Sequence, residues 1–270
     1  MQNQTDATKW EEFLPWIENL ENERSNYKNL SDRYVSQLVF RGHSSEKWQL
    51  ETTLERYSGH PLRVDSHYDK AYEAKNLIET YTQQEWKIPT PAEYRDLLDS
   101  KIAFGWFELP AYDYLVYLRH HGFPSPLLDW AASPYIAAHF ACSGDLKSND
   151  RIALYALLEY AGNGKTSSHQ QPTVHGAGPN VRSHRRHFLQ QSQYTMCLEK
   201  RGDHLFYASH EAALTANQEN SQDLLWKFTL PASECVRVLK SLDKFNLNAY
   251  SLFGSEESLM QTMAMRLLSP

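Results

Sequence analysis

Cysteine is scarce in this sequence, and the few cysteines lie far apart. Three occur in 270 residues, at Cys142, Cys197 and Cys235, and none belongs to a C-x-x-C pair. An odd number of widely spaced cysteines argues against a disulfide scaffold and against a zinc knuckle. We therefore expect three buried thiols in the reduced state.

Long apolar runs and a secretory signal are also missing. No stretch approaches the roughly 20 apolar residues that a membrane-spanning helix needs. The first ten residues, MQNQTDATKW, are polar and lack the basic-then-apolar order of a signal peptide. The sequence predicts a soluble, cytoplasmic protein that has no membrane partner.

Positive charge is not in excess, because the formal net charge is -6. This excludes a protein that is basic throughout, as many nucleic-acid-binding proteins are. One segment, residues 181–195, differs from the rest and would attract a polyanion or a phosphate, although it could also be a solvated loop. Its cationic side chains are Arg182, His184, Arg185, Arg186 and His187.

Hydrophobic periodicity predicts one domain that spans residues 1–270. An apolar stripe at helical spacing indicates a helix over 8–22, and a short apolar run indicates a strand over 36–42. A helical insertion at about 60–118 follows, and the other core blocks are 120–142, 151–160 and 182–270. Because helices and strands mix without regular βαβ alternation, the α+β class is favoured.

The second half of the chain contains one long irregular segment and several regular ones. Residues 161–181 are rich in Gly, Ser, Pro and His, which is typical of a loop or a flap. Residues 192–198 and 223–230 are predicted strands. Ser233 and Ser255 are each predicted to lie at the start of a capped helix.

Arg41 stands where an apolar strand ends at a glycine. A planar guanidinium there can hold a phosphate or a carboxylate, and Gly42 would let a ligand approach the backbone. The same arginine could instead pair with an acid in the core. Spacing alone does not separate an anion site from a buried ion pair.

The segment 117–142, YLRHHGFPSPLLDWAASPYIAAHFAC, concentrates specialised residues between helix-like runs. His120 could hydrogen-bond a ligand or favour the carboxyl end of a helix through its charge. Asp129, if buried, must be satisfied by backbone N–H groups or by an arginine, and would then hold a turn. Ser133 is expected to cap the helix that Pro134 begins, and the same helix end could bind a phosphate.

Two kinds of site are disfavoured. His120 and His121 are adjacent on a helix and point in different directions, and no H-x-x-x-H or H-x-H pattern accompanies them, so we expect no metal. His120, Asp129 and Ser133 are the residue types of a hydrolase triad. No G-x-S-x-G turn is present, however, which argues against that class of enzyme.

Four ordered blocks resemble the FRG-domain family of bacterial proteins. They are FRG at 40–42 with WQLETTLER at 48–56, HHGFPSPLLDWAASPYIAAHFA at 120–141, RHFLQQSQY at 186–194, and SLFGSEESL at 251–259. The central block resembles H-x-G-x-P-T-R-L-L-D-W-T-x-S-P-x-x-A-x-x-F-A. The chain departs from the family pattern at Ser125 and Pro126, which replace threonine and arginine, and at Ser192 and Tyr194, which replace glycine and phenylalanine.

The family pattern in turn resembles, at a distance, the ADP-ribosyltransferase fold. That resemblance implies a split mixed or antiparallel sheet with flanking helices and a helical insertion, with NAD as substrate and no metal. Arg41 would hold the NAD pyrophosphate or ribose, and Gln190 would occupy the position of the usual catalytic acid. Glu199 is a possible substitute acid.

The resemblance also implies a role for each candidate residue. The expected catalytic residues are Arg41, His120 and Gln190. The expected NAD-binding residues are Arg41, Gly42, Asp129, Trp130, Ser133 and Tyr135, of which Ser133 and Tyr135 would line the nicotinamide pocket. The expected nucleic-acid-binding residues are Arg182, Arg185, Arg186 and His187.

The function implied is that of a toxin or anti-phage effector that transfers ADP-ribose to nucleic acid, with RNA favoured. An antitoxin protein would restrain it, and a chaperone is a further candidate partner. The alternatives are an inert module that binds nucleotides or nucleic acid, a transferase with a protein target, and a hydrolase such as an NAD glycohydrolase.

Overall fold

The computed structural model of the protein describes residues 3–30, 32–103, 109–146, 150–162, 171–178, 181, 185–217 and 222–269. Within them, eight strands form one sheet. The strands are β1 (Gln4–Asp6), β2 (Leu38–His43), β3 (Leu128–Ala131), β4 (Arg151–Leu158), β5 (Thr173–Gly176), β6 (Ser192–Arg201), β7 (His204–Tyr207) and β8 (Leu224–Pro231).

The sheet is mixed. Its strand order is β1-β8-β4-β2-β3-β6-β5, and β7 also pairs with β6. β1 runs parallel to β8, whereas the other recorded strand pairs are antiparallel. Helices flank this sheet, which confirms the predicted α+β class and a mixed sheet.

Eleven α-helices are present in the described ranges. They are α1 (Phe13–Leu30), α2 (Thr53–Ser58), α3 (Val64–Thr82), α4 (Pro91–Ala103), α5 (Tyr112–His120), α6 (Pro134–Ser143), α7 (Arg185–Leu189), α8 (His210–Asn217), α9 (Cys235–Asp243), α10 (Ala249–Phe253) and α11 (Glu256–Leu268). The predicted helical insertion corresponds to α3, α4 and α5.

The strand β4 lies between β8 and β2 in the sheet and is buried on both faces. Because side chains alternate across a strand, Ile152 and Leu154 pack with α1, α6 and α9, whereas Ala153 and Tyr155 belong to the cluster on the opposite face. This explains why its sequence reads as a nearly continuous apolar run. A third cluster joins α3, α4 and α5 to β6.

Gly42 of β2 allows the helix α6 to approach the sheet closely. A Cβ atom placed on Gly42 would lie 1.9 Å from the carbonyl oxygen of Ala137 and 2.7 Å from the backbone nitrogen of Ala141. The glycine is therefore required by strand–helix packing, a reason that the sequence analysis did not identify. α6 meets the strand with small side chains, including Ala137, Ala138 and Ala141.

Several predicted elements are confirmed, with shifted ends. The helix predicted at 8–22 is a 3-10 turn at Trp10–Glu12 followed by α1, and the strand predicted at 36–42 is β2. The strands predicted from residues 192 and 223 are β6 and β8. Ser255 caps α11 by accepting a hydrogen bond from the Ser258 N–H.

Other expectations fail. Asp129 was expected to hold a turn, but it belongs with Trp130 to β3, which lies between β2 and β6. The strand is only four residues long, and its pairing partners are distant in sequence, so local patterns did not reveal it. α9 begins at Cys235 after a short 3-10 turn, and Ser233 does not cap it.

The three cysteines agree with expectation, since all are free and buried. No helix in the described residues is long and apolar enough to cross a membrane.

Candidate functional site

A cavity of about 990 Å³ opens beside β2 and β3, at the upper end of the size range of small-molecule sites. Its cationic lining residues among those described are Arg41, Lys47, Arg56, Arg119 and Arg186. Its aromatic lining residues are Phe40, Trp48, Trp130, Phe140 and Phe253. Many cations next to aromatic rings are suited to a ligand that combines phosphates with flat ring systems.

Arg41 is held at the base of this cavity by two hydrogen bonds. Its Nε donates to His43 Nε2 over 2.9 Å, and its Nη1 donates to the backbone oxygen of Asp129 over 2.6 Å. Burial and the nearby Arg119 charge lower the pKa of Arg41 to about 10, partly offset by Asp129. The guanidinium therefore stays charged at neutral pH and keeps further N–H donors for an anion.

His43 serves Arg41 as a neutral acceptor. Burial and the charge of Arg41 lower the pKa of His43 to about 3, so the imidazole carries no charge at neutral pH. Because its Nε2 accepts the Arg41 hydrogen bond, the remaining proton lies on Nδ1. This fixes the direction of the guanidinium without neutralising it.

Arg119 also lines the cavity and forms an ion pair with Asp129. Its Nε lies 3.1 and 3.0 Å from the two carboxylate oxygens, and its Nη2 also contacts Oδ2. Its Nη1 donates to Thr53 Oγ1 over 2.7 Å. Burial raises the pKa of Asp129, but the charge and hydrogen bonds of Arg119 outweigh it and hold the pKa below its ordinary value.

This pair confirms that an arginine satisfies Asp129. Arg119 itself was missed, because an arginine near a helix end is common on protein surfaces and the sequence does not show its burial. Its partners Asp129 and Thr53 come from separate segments, so nothing local in the sequence pointed to the pair.

Asp129→Asn should lower the free energy of unfolding by about 1–3 kcal/mol at neutral pH, since it leaves Arg119 without its anion in a half-buried site. The folded-state pKa of Asp129 lies below its ordinary 3.8. Its contribution is therefore present above pH 3.8 and is lost as pH falls through the folded-state pKa. Urea unfolding at neutral and acidic pH measures both effects.

A matched control is Glu11→Gln, which removes the acid of the exposed Glu11–Arg237 pair and should change stability little. An equal loss in the two variants at neutral pH would contradict the structural importance of Asp129. So would a deficit of Asp129→Asn that persists unchanged below pH 3.

His120 lines the cavity and belongs to a buried hydrogen-bond network. His120 Nε2 lies 2.8 Å and His187 Nδ1 lies 3.2 Å from the hydroxyl oxygen of Tyr194. Burial and the Asp129 charge raise the pKa of Tyr194, so the phenol stays protonated. His187 also stacks on the Tyr194 ring, at 5.7 Å between centroids, and lies in the interior rather than on the surface.

Arg186 of α7 and Gln190, which directly follows that helix, both line the cavity. The Gln190 side-chain nitrogen donates to the Leu252 carbonyl oxygen over a long 3.4 Å, and the Arg186 guanidinium lies 5.6 Å from the centre of the Phe253 ring. Both contacts dock α7 on α10. Arg185, on the same helix, is exposed, and Arg182 lies outside the described residues.

The structure does not bring Ser133 and Tyr135 to the cavity lining. Ser133 is the N-cap residue of α6, as expected, but its hydroxyl makes no capping hydrogen bond. Tyr135 instead packs edge-on against Phe13 of α1, at 5.8 Å between ring centroids. Trp130 does line the cavity, and its indole N–H is used by Thr195 Oγ1 at 2.9 Å.

The glutamate that lines the cavity is not the one that was expected to replace the catalytic acid. Glu199 of β6 is paired with Arg201 at 2.6 Å and is not among the cavity residues. Glu51, which the sequence analysis did not select, does line the cavity. It lies between β2 and α2, in the WQLETTLER segment, which served only as part of the family resemblance.

No group of three or more His, Cys, Asp or Glu residues that could hold a metal ion occurs in the described part of the chain. The site also does not form a hydrolase triad. His120 bonds to Tyr194, Asp129 is engaged by Arg119, and Ser133 lies outside the cavity lining.

Fold and site together define an α+β protein with an arginine-rich, aromatic-lined cavity at the strands β2 and β3. Residues 36–150 match the family model of the FRG domain. The match contains Arg41, Arg119 and Asp129, whereas α7 and α10 lie beyond it. No curated protein and no solved structure matches the chain.

Proposed function

We propose that this protein is an NAD-dependent ADP-ribosyltransferase, with Arg41 as the anchor of the dinucleotide. The observation that carries the proposal is a charged, half-buried arginine that two hydrogen bonds fix in the lining of a cavity rich in cations and aromatic rings. The mixed sheet with flanking helices agrees with the distant resemblance to the ADP-ribosyltransferase fold, which forms part of the proposal.

Each part of NAD finds a chemically matched surface in the cavity. The pyrophosphate carries two negative charges, which planar guanidinium groups such as Arg41 bind through paired hydrogen bonds. Nicotinamide and adenine are flat rings, and Trp48, Phe140 and Phe253 offer faces or edges for them. A volume of about 990 Å³ admits a ligand of this size.

The reaction breaks the bond between the nicotinamide nitrogen and the ribose C1′. The bonding electrons leave with nicotinamide, which departs as a neutral molecule, and positive charge develops on the ribose. An acceptor oxygen or nitrogen then bonds to C1′ and loses its proton. Fixed groups that oppose the developing charge lower the barrier. Gln190 can hydrogen-bond a ribose hydroxyl but carries no charge.

The acceptor that we favour is single-stranded nucleic acid, RNA in particular. Phe188 of α7 exposes 72% of its surface, and Arg185 on the same helix is also exposed. Their neighbours Arg186 and Gln190 line the cavity. An exposed ring beside a cation is the arrangement on which unpaired bases stack while phosphates are held.

Phe188→Ala should therefore weaken RNA labelling by roughly 5- to 100-fold, the value of one lost base stack, and leave the affinity for NAD unchanged. The control is Phe245→Ala, because Phe245 is a comparably exposed aromatic residue that does not line the cavity. Labelling of a short RNA and calorimetric binding of NAD are measured on the same protein preparations. Equal labelling by both variants would contradict the role of α7 as the RNA platform.

The direct test incubates the purified chain and NAD labelled in its adenylate half with RNA, single-stranded DNA or lysate protein. Label on RNA supports the full proposal. Label on protein alone would show that the acceptor is protein rather than RNA and would still support the transferase activity. Nicotinamide release without label on any acceptor indicates an NAD glycohydrolase. If neither labelled acceptor nor free nicotinamide is formed, the protein is not an enzyme of this class.

A module that binds nucleotides without catalysis is the second candidate. It is favoured by one observation, the neutral Gln190 amide whose hydrogen bond goes to the Leu252 carbonyl. Calorimetric binding of NAD or RNA, with no nicotinamide produced, would select this candidate.

As part of the same proposal, the enzyme acts as a toxin or anti-phage effector. A protein that modifies the nucleic acid of its own cell must be restrained, so an antitoxin partner is expected, and a chaperone is a further candidate. Co-expression with its neighbouring genes, scored by growth and by co-purification, tests this part of the proposal.

A further inference from the structure

We infer that Glu51 is the catalytic carboxylate of this cavity, the group that stabilises the positively charged ribose as nicotinamide leaves. This inference rests on the proposed function and deepens it. It gives the role of the acid to a residue before α2, whereas the resemblance to ADP-ribosyltransferases assigns that role to Gln190, which directly follows α7.

Few carboxylates in the described lining of the cavity are available to stabilise a cationic ribose. Among the described residues, the carboxylates that line the cavity are those of Glu51 and Asp129. Asp129 is held by Arg119 through both oxygens and also faces the charge of Arg41. Its negative charge is thus already balanced, and it cannot oppose a new cation strongly.

Glu51 differs in this respect. No ion pair or hydrogen bond to its carboxylate is recorded among the described residues, and the side chain is half-buried rather than fully exposed. The nearby Arg56 does not pair with this carboxylate. Its guanidinium donates to the backbone oxygen of Glu51 over 3.0 Å.

Hydrogen bonds and burial hold the backbone around Glu51 in place. The Glu51 N–H donates to the Gln49 oxygen at 2.9 Å. Leu50 is fully buried, and its N–H donates to Glu211 at 3.0 Å. The next residue, Thr52, forms a reciprocal capping box with Glu55 at the start of α2. A fixed backbone limits the carboxylate to its own rotamers, which is the preorganisation that electrostatic catalysis requires.

The charge on the phosphates and the charge on the ribose change differently during the reaction. The arginines suit the phosphates, which stay anionic throughout, whereas only the ribose gains positive charge. A carboxylate next to the ribose is favourable in the transition state and costs little in the ground state. Binding and catalysis are then divided between residues of opposite charge.

The step balances without any further reactant. The C1′–nitrogen bond breaks, its electron pair goes to nicotinamide, and the ribose cation is opposed by the Glu51 carboxylate. The acceptor heteroatom then donates a lone pair to C1′ and releases one proton to solvent. Glu51 is unchanged at the end, as a catalyst must be.

The experiment compares Glu51→Gln and Glu51→Asp with wild type. It measures NAD binding by calorimetry and nicotinamide release at saturating NAD. We expect Glu51→Gln to lower kcat by roughly 100- to 1000-fold, the usual loss when one transition-state contact is removed, with less than a threefold change in Kd. Glu51→Asp, which keeps the charge, should retain more activity. Glu199→Gln is the matched control and should behave as wild type.

The outcomes separate the two proposals. If wild type binds NAD and releases nicotinamide but Glu51→Gln keeps wild-type kcat, Glu51 is not the catalytic acid while the enzyme proposal stands. A loss of NAD binding equal to the loss of kcat would also overturn the inference, because Glu51 would then act in binding or folding. If wild type neither binds NAD nor releases nicotinamide, both proposals fail together.

Discussion

Replacing Arg41 with lysine should reduce NAD affinity by about 100-fold, although the positive charge is kept. The variant loses the hydrogen bonds from Nε to His43 and from Nη1 to the Asp129 carbonyl. It also loses the planar fork that pairs with a pyrophosphate, and about 3 kcal/mol for two charge-assisted hydrogen bonds corresponds to this factor. Arg41→Ala should remove measurable binding. Calorimetry with NAD measures the affinity of each variant.

Two controls separate binding from folding. Arg237→Lys changes an exposed arginine that does not line the cavity, and it should bind NAD as wild type does. The far-ultraviolet spectrum and melting temperature of Arg41→Lys show whether the sheet is intact. A folded Arg41→Ala protein with unchanged affinity would eliminate Arg41 as the anchor and, with it, the observation that carries the proposed function.

Gly42→Ala should produce the largest loss of stability, about 3 kcal/mol or more, because the new methyl group has no space. The added Cβ would lie 1.9 Å from the Ala137 oxygen, a backbone atom that cannot rotate away. Either β2 or α6 must then shift, and overpacking of this kind is among the mechanisms that give exceptional losses. In a chain of this size, the melting temperature should fall by roughly 6–12 °C.

The matched control is Gly202→Ala, at a glycine whose Cβ would meet no atom within 4 Å. Gly202 has a φ of 61°, so its substitution should cost only about 1 kcal/mol of backbone strain. Equal melting temperatures for the two variants would contradict the packing explanation. Gly42→Ala should also lower NAD affinity, since Arg41 is the adjacent residue.

The candidate site could be predicted in part from the sequence. Arg41, Gly42, His120, Asp129, Trp130, Arg186 and Gln190 line one cavity, although they come from four segments. Arg41, His120 and Asp129 stood out by residue type and position, whereas the roles of Trp130 and Gln190 came from the resemblance to ADP-ribosyltransferases. The same resemblance selected Ser133 and Tyr135 for the nicotinamide pocket, but Tyr135 packs against Phe13 of α1.

Arg119 and Glu51 were missed for a common physical reason. Charged residues near helix ends are frequent on protein surfaces, and sequence shows neither their burial nor their partners. Arg119 becomes a site residue only because β3 brings Asp129 to it, and β3 itself depends on pairing with β2 and β6. Residues whose role depends on contacts between distant segments are therefore the hardest to predict from local sequence patterns.

The sequence by itself determined the α+β class, the strands β2, β6 and β8, and the buried state of the cysteines. These features follow from hydrophobic periodicity and composition, which act locally or over the whole chain. Tertiary structure alone decided that β3 is a strand, that Gly42 serves the packing of α6, and that Arg119 and Glu51 face the cavity. Those outcomes depend on tertiary contacts between segments that are distant in sequence, because such contacts determine which side chains are buried and which charges are paired.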